Sequence, residues 1–201
     1  MEYTTLNNGL QMPLEGFGVF QVRDKEECKQ SVLEAIKAGY RLIDTAASYT
    51  NEDAVGEAVR EAIREGICTR EKLFITSKMW VQDMKDYDSA KKAIDASLKK
   101  SGLEYLDLYL LHQAMGDYFS AYRAMEDAYK EGKLKAIGVS NFYPHTLVNF
   151  CSLFKNCHKK INSVIISSRC CSSCHSKIGI THKSLNLYHY RTCSFKKAHN
   201  N

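Results

Sequence analysis

Proline is scarce in this chain. Its 201 residues hold only Pro13 and Pro144, which excludes a Pro-rich stalk or extended linker. No apolar run reaches the roughly 18 residues that a membrane-spanning helix needs. The opening segment Met1-Glu2-Tyr3-Thr4-Thr5 lacks a basic start followed by an apolar stretch. It reads as no secretory leader, and a cytoplasmic location is the expectation. Acidic residues stop at Glu131, and none occurs from 132 to 201.

What is present is an ordinary globular balance, 44% apolar and 25% charged. That composition excludes wholesale disorder and provides for a buried core. The averages hide a split. From Lys155 onward there are nine Lys and Arg and no acid, a charge of +9; the whole chain is +5, so residues 1–154 carry −4. Five of the eight cysteines (Cys157, Cys170, Cys171, Cys174, Cys193) and five of the seven histidines lie in the same final stretch. Two units are expected: residues 1–151, and a basic, Ser/Lys/Cys/His-rich tail over 152–201 that is poorly ordered.

Within the first unit, short apolar runs alternate with amphipathic helical patterns. The runs Leu14–Phe20, Arg41–Asp44, Leu73–Ser77, Leu106–Leu111 and Ala136–Val139 read as strands. Each is nearly continuous in apolar residues, as in a parallel strand covered on both faces. Helix-start signals fall between them at Asp24, Asn51, Asp88, Asp117 and Pro144, with Gly39, Gly66, Gly102 and Gly132 as stops. Val55, Val59 and Ile63 are expected to face inward from the second helix. An Asn-Gly turn at Asn8-Gly9, between apolar flanks, predicts a small hairpin ahead of the first unit. The fold class is therefore α/β with a parallel sheet. A doubly wound nucleotide fold would want Gly-x-Gly-x-x-Gly after its first strand, and Gly16-Phe17-Gly18-Val19-Phe20 does not supply it. A (β/α)8 barrel needs no such loop, but typically takes about 250 residues; only about five βα units are read here.

In barrel enzymes, chemistry sits where strands end. The second run is followed by Asp44, Tyr49, Asn51 and Glu52. The third is followed by Lys78 and Trp80, the fourth by His112 and Gln113, and the fifth by Ser140 and Asn141. Taken singly, these residues read as packing, solvated or loop-capping groups. Together, Tyr, Lys, Asp and His on successive strand ends form an acid–base set. A phenol titrates near 10, too high for an effective proton donor at neutrality unless an ammonium favours its phenolate. Lys78 is placed to do so, Asp44 to hold Lys78 charged, and neutral His112 to orient a carbonyl.

These residues resemble the aldo-keto reductase family, of the prokaryotic small-carbonyl type. The resemblance rests on Gly16-Phe17-Gly18-Val19-Phe20, Arg41-Leu42-Ile43-Asp44-Thr45-Ala46 with Tyr49 and Asn51-Glu52, Ile75-Thr76-Ser77-Lys78, Asp107-Leu108-Tyr109-Leu110-Leu111-His112, and Gly132 through Phe142. It implies a (β/α)8 TIM-barrel architecture, incomplete in this chain, and reduction of small aldehydes or ketones with NADPH and no metal. It implies Tyr49 as proton donor, Lys78 as the group lowering its pKa, Asp44 as partner of Lys78 and as a cofactor contact, and His112 as carbonyl-positioning and substrate-binding residue. Ser140 and Asn141 are implied at the nicotinamide carboxamide, with Phe20 and Trp80 lining the substrate pocket.

Past Cys151 the family motifs give out: no Val-Asn-Gln strand follows, and no basic loops for the pyrophosphate and 2′-phosphate. The change reads as a frame shift or truncation. The alternative to an active reductase is therefore an inactive relative whose barrel does not close and whose open sheet edge favours self-association. The pair Cys171 and Cys174 has zinc-like spacing, but no well-spaced second pair accompanies it, so no metal is expected. The tail charge lacks an organised helix or aromatic platform, so nucleic acid is not an expected partner.

Overall fold

The computed structural model describes residues 1–154 and two strand segments, 163–166 and 191–193. A hairpin comes first, β1 (Tyr3–Thr5) antiparallel to β2 (Gln11–Pro13), with Gly9 at φ 87° in its turn. Five strand–helix units follow: β3 (Glu15–Gly18) and α1 (Lys25–Lys37); β4 (Leu42–Asp44) and α2 (Glu52–Arg64); β5 (Phe74–Met79) and α3 (Tyr87–Ser101); β6 (Leu108–Leu111) and α4 (Tyr118–Lys130); β7 (Ile137–Ser140) and α5 (Pro144–Leu153). The five βα units, and every strand among them, match the reading of the sequence.

The sheet holds two further strands, β8 (Ser163–Ile166) and β9 (Arg191–Cys193). Its order is β8-β7-β6-β5-β4-β3-β9, and every pairing is parallel. The edge expected to stand open after the fifth strand is thus paired: Ile137 through Ser140 lie in register with Ser163 through Ile166. The apolar run at Val164-Ile165-Ile166 gives β8 its strand character. Among the described strands the sheet does not close on itself, so the barrel is partial.

Strand alternation sorts the core into two layers. Ile43, Ile75, Tyr109, Leu111, Ile137 and Val139 point to the helices and join the main core. Leu42, Phe74, Leu108, Leu110 and Ala136 point the other way and pack with Leu6 and Met12 of the hairpin segment. The hairpin therefore closes the inner face at the end opposite the strand C-termini.

Helix starts follow the expected chemistry with two changes. Asp24 accepts from Glu27 N at 2.8 Å, and Asp117 accepts from Ser120 N at 3.0 Å. α3 is capped by Asp86, which accepts from Ser89 N at 2.7 Å, and not by Asp88, which lies in the first turn. Asn51 occupies the cap position of α2, but its side chain makes no capping bond. In α2 the buried stripe runs through Ala54, Val55, Ala58, Val59 and Ala62, while Ile63 is 36% exposed. Gly56 lets α2 approach α3: a Cβ at this position would overlap the Ser101 carbonyl oxygen.

Candidate active site

Strand register assembles the site. Asp44 pairs with Thr76 across β4 and β5, and Lys78 pairs with Leu110 across β5 and β6. Asp44, Lys78, His112 and Ser140 occupy the same phase of the pleat as Leu42, Phe74, Leu110 and Gly138, so all four belong to the inner face at the strand C-termini. The candidate residues converge although they span a hundred positions of sequence.

Lys78 is the hub. Its Nζ donates to Asp44 Oδ1 at 2.6 Å and to Thr45 O at 2.9 Å, and lies 3.4 Å from Tyr49 Oη. Lys78 is 5% exposed and Asp44 6%, a burial that ionised groups tolerate only when paired and hydrogen-bonded. Tyr49 ends a short 3₁₀ turn, Ala47–Tyr49, followed by Thr50 in the left-handed region at φ 60°. The turn brings the phenol back over Lys78. Burial pushes the Tyr49 pKa up and Asp44 adds to that rise, whereas the Lys78 charge and hydrogen bond pull it down. The net direction is upward. The lowering by Lys78 expected from the sequence is present as an opposing contribution and does not set the sign.

His112 follows β6, its amide donating to Met79 O at 3.1 Å. Burial, then the Lys78 charge, lower its pKa to about 4, so the ring is neutral at pH 7. Its Nδ1 lies 3.3 Å from Ser48 Oγ, a hydroxyl that accommodates either tautomer. Its ring meets Tyr49 edge-on at 5.7 Å and Trp80 edge-on at 5.1 Å. Phe20 packs on Tyr49 at 5.0 Å and is 56% exposed, forming an aromatic rim.

Ser140 is buried, and Asn141 follows it at φ 58°. The Asn141 amide donates to His112 O at 3.0 Å and to Ser140 Oγ at 3.2 Å, tying the end of β7 to the residue after β6. Glu52 does not join the site. It accepts from Ser77 Oγ at 2.6 Å, on the helix-facing side of β5. Residue types at strand ends gave no indication of Thr45, whose carbonyl holds Lys78, or of Ser48. A third contributor is the side chain of Asn51, which the sequence places after the second strand and at the start of α2. Among the described residues no cluster of His, Cys, Asp and Glu could hold a metal; Cys171 and Cys174 lie outside the described residues.

The sequence matches the aldo/keto reductase family over residues 16–177. The match extends past Cys151 and takes in β8. An uncharacterized oxidoreductase of Bacillus subtilis, YtbE, is 54% identical over 144 residues, covering 71% of this chain and 51% of its own length. A glyoxal reductase from the same organism is 50% identical, covering 71% and 50%. Among solved structures, the Bombyx mori aldo-keto reductase AKR2E4 in complex with NADP superimposes with a TM-score of 0.75 at 35% identity, covering 84% of this chain and 58% of that one. The chain belongs to the aldo/keto reductase family. It spans about half the length of the curated relatives it matches.

Proposed function

We propose that the chain is an NADPH-dependent reductase that converts small aldehydes and ketones to alcohols. The observation that carries this reading is the Lys78 ammonium, 2.6 Å from Asp44 and 3.4 Å from the Tyr49 hydroxyl, beside a neutral His112. NADPH, when bound, supplies a hydride to the carbonyl carbon. Tyr49 gives its phenolic proton to the carbonyl oxygen. Its raised pKa keeps that proton in place at neutrality, and the adjacent Lys78 charge stabilises the phenolate left behind. Asp44 holds the Lys78 ammonium in place through their 2.6 Å contact. The neutral imidazole of His112 hydrogen-bonds and orients the carbonyl.

A hydroxyl and a primary amide side by side at a strand end are the donor and acceptor set that a carboxamide requires. This supports Ser140 and Asn141 as the residues that hold nicotinamide. Phe20 and Trp80 form the substrate wall. The name of the glyoxal reductase relative supports a small dicarbonyl or aldehyde as substrate.

The test follows NADPH oxidation with glyoxal and with benzaldehyde, in the wild-type chain and in Tyr49→Phe. The expected loss is about 10²–10⁴-fold. Equal rates above background in both proteins would remove Tyr49 from the mechanism. Background rates in the wild type would identify an inactive relative.

A further inference from the structure

Asn51 is fully buried, and its amide holds three partners. Thr45 Oγ1 donates to its Oδ1 at 2.7 Å, and its Nδ2 donates to Val19 O and Val22 O, both at 3.0 Å. The two carbonyls have no proton to give, so only this orientation of the amide satisfies all three partners. Val19 and Val22 bracket a tight turn in which Val22 N donates to Val19 O at 3.2 Å and Gln21 sits at φ 68°. A non-glycine residue held in the left-handed region needs its surroundings to fix it. Phe20 lies inside that turn, and its ring packs on Tyr49 at 5.0 Å. At the other end, Thr45 binds Asn51 through its hydroxyl and Lys78 through its carbonyl.

We propose that Asn51 is a positioning residue that couples the Phe20 substrate wall to the Tyr49–Lys78 acid pair, so that the two loops hold one spacing across the substrate. The inference rests on the reductase reading for its consequence, though not for its geometry. The bond lengths assign the work. One side chain clamps both ends of the Phe20 turn, and the same side chain is anchored to the residue that receives Lys78. Among the described residues, the other hydrogen bond near this junction is the backbone pair of Val19 N with Asp44 O at 3.1 Å, just below the turn. That pair fixes the start of the turn and leaves Phe20 and Val22 to the clamp.

Two variants test this. Asn51→Ala removes all three bonds. Thr45→Val removes one of them, keeps the Thr45 carbonyl for Lys78 and is nearly isosteric, so it serves where the first variant fails to fold. In either variant the KM for benzaldehyde is expected to rise about two- to tenfold, the range of an aromatic contact. In a Phe20→Ala background the same substitution is expected to add nothing, because the coupling acts through Phe20. Fully additive effects would overturn the proposal. A second readout does not depend on turnover. The nuclear Overhauser contact between the Phe20 and Tyr49 rings is expected in the wild type and is expected to weaken in Thr45→Val. Its persistence at full strength in that variant would also overturn the coupling. Loss of this contact in a chain that lacks Tyr49-dependent turnover would support the clamp while rejecting the reductase reading.

Discussion

Asp44 and Lys78 form an ion pair with Oδ1 and Nζ 2.6 Å apart, on adjacent strands, with neither residue more than 6% exposed. The pair is shielded from solvent on the inner face, and the Lys78 ammonium has two further oxygen neighbours, Thr45 O and Tyr49 Oη. Removing one member of such a pair leaves a buried charge without its counter-ion.

Asp44→Ala is therefore expected to cost about 3–5 kcal/mol of folding stability, well beyond the cost of breaking a surface pair. Replacing both residues, Asp44→Leu with Lys78→Met, should recover part of that loss, because no charge is then stranded. Urea unfolding of the two variants checks this. A loss below about 1 kcal/mol in Asp44→Ala would mean that water reaches the ammonium freely.

His112 gives stability a pH dependence. Its folded pKa is lowered from 6.5 to about 4, by burial first and by the Lys78 charge second, with Asp44 opposing. Between those values the unfolded chain binds the extra proton and the folded chain does not. The contribution is present above pH 6.5 and is lost as pH falls toward 4, at up to about 1.4 kcal/mol per pH unit for one proton. His112→Gln should flatten the decline between pH 7 and pH 5 relative to wild type. Identical slopes in the two proteins would show that the folded ring titrates normally.

Gly56→Ala sets two effects against each other. Alanine gains about 1 kcal/mol in a helix interior relative to glycine. The new methyl group would overlap the Ser101 carbonyl oxygen, which also accepts from Arg60 Nη1. Overpacking against backbone costs about 3 kcal/mol at the upper end of its range, because α3 has to move as a unit. The net expectation is a loss of about 2 kcal/mol and a melting temperature lower by several degrees. A raised melting temperature would show that α3 shifts freely.

The sequence carried much of the site. Asp44, Lys78, His112 and Ser140 were legible because each ends an apolar run, and runs in the same pleat phase bring alternate residues to one face. Asp24 and Asp117 cap as their spacing indicates, since a capping bond reaches only three residues along the chain. Asp88, the cap expected for α3, lies in its first turn instead. The fold chose Asp86, whose extended backbone directs its carboxylate at Ser89 N.

Asn51 marks the boundary between the two kinds of information. Its residue type and place before α2 predict a helix cap, a local use. The folded chain instead spends its amide on Thr45, Val19 and Val22, partners as far as 32 residues away. The sign of the Tyr49 shift has the same character. The residues alone show that Lys78 is available to lower the pKa, but the burial that outweighs it exists only once the loops and strands surround the ring. The pairing of Val164-Ile165-Ile166 with β7 is likewise non-local, since a parallel neighbour comes from across a connection and leaves no mark in the strand's own residues. Periodicity, charge and short-range capping thus determined which elements form and which side chains share a face. Which of those side chains meet, and how much water remains between them, was decided by the register and packing of segments far apart in the chain.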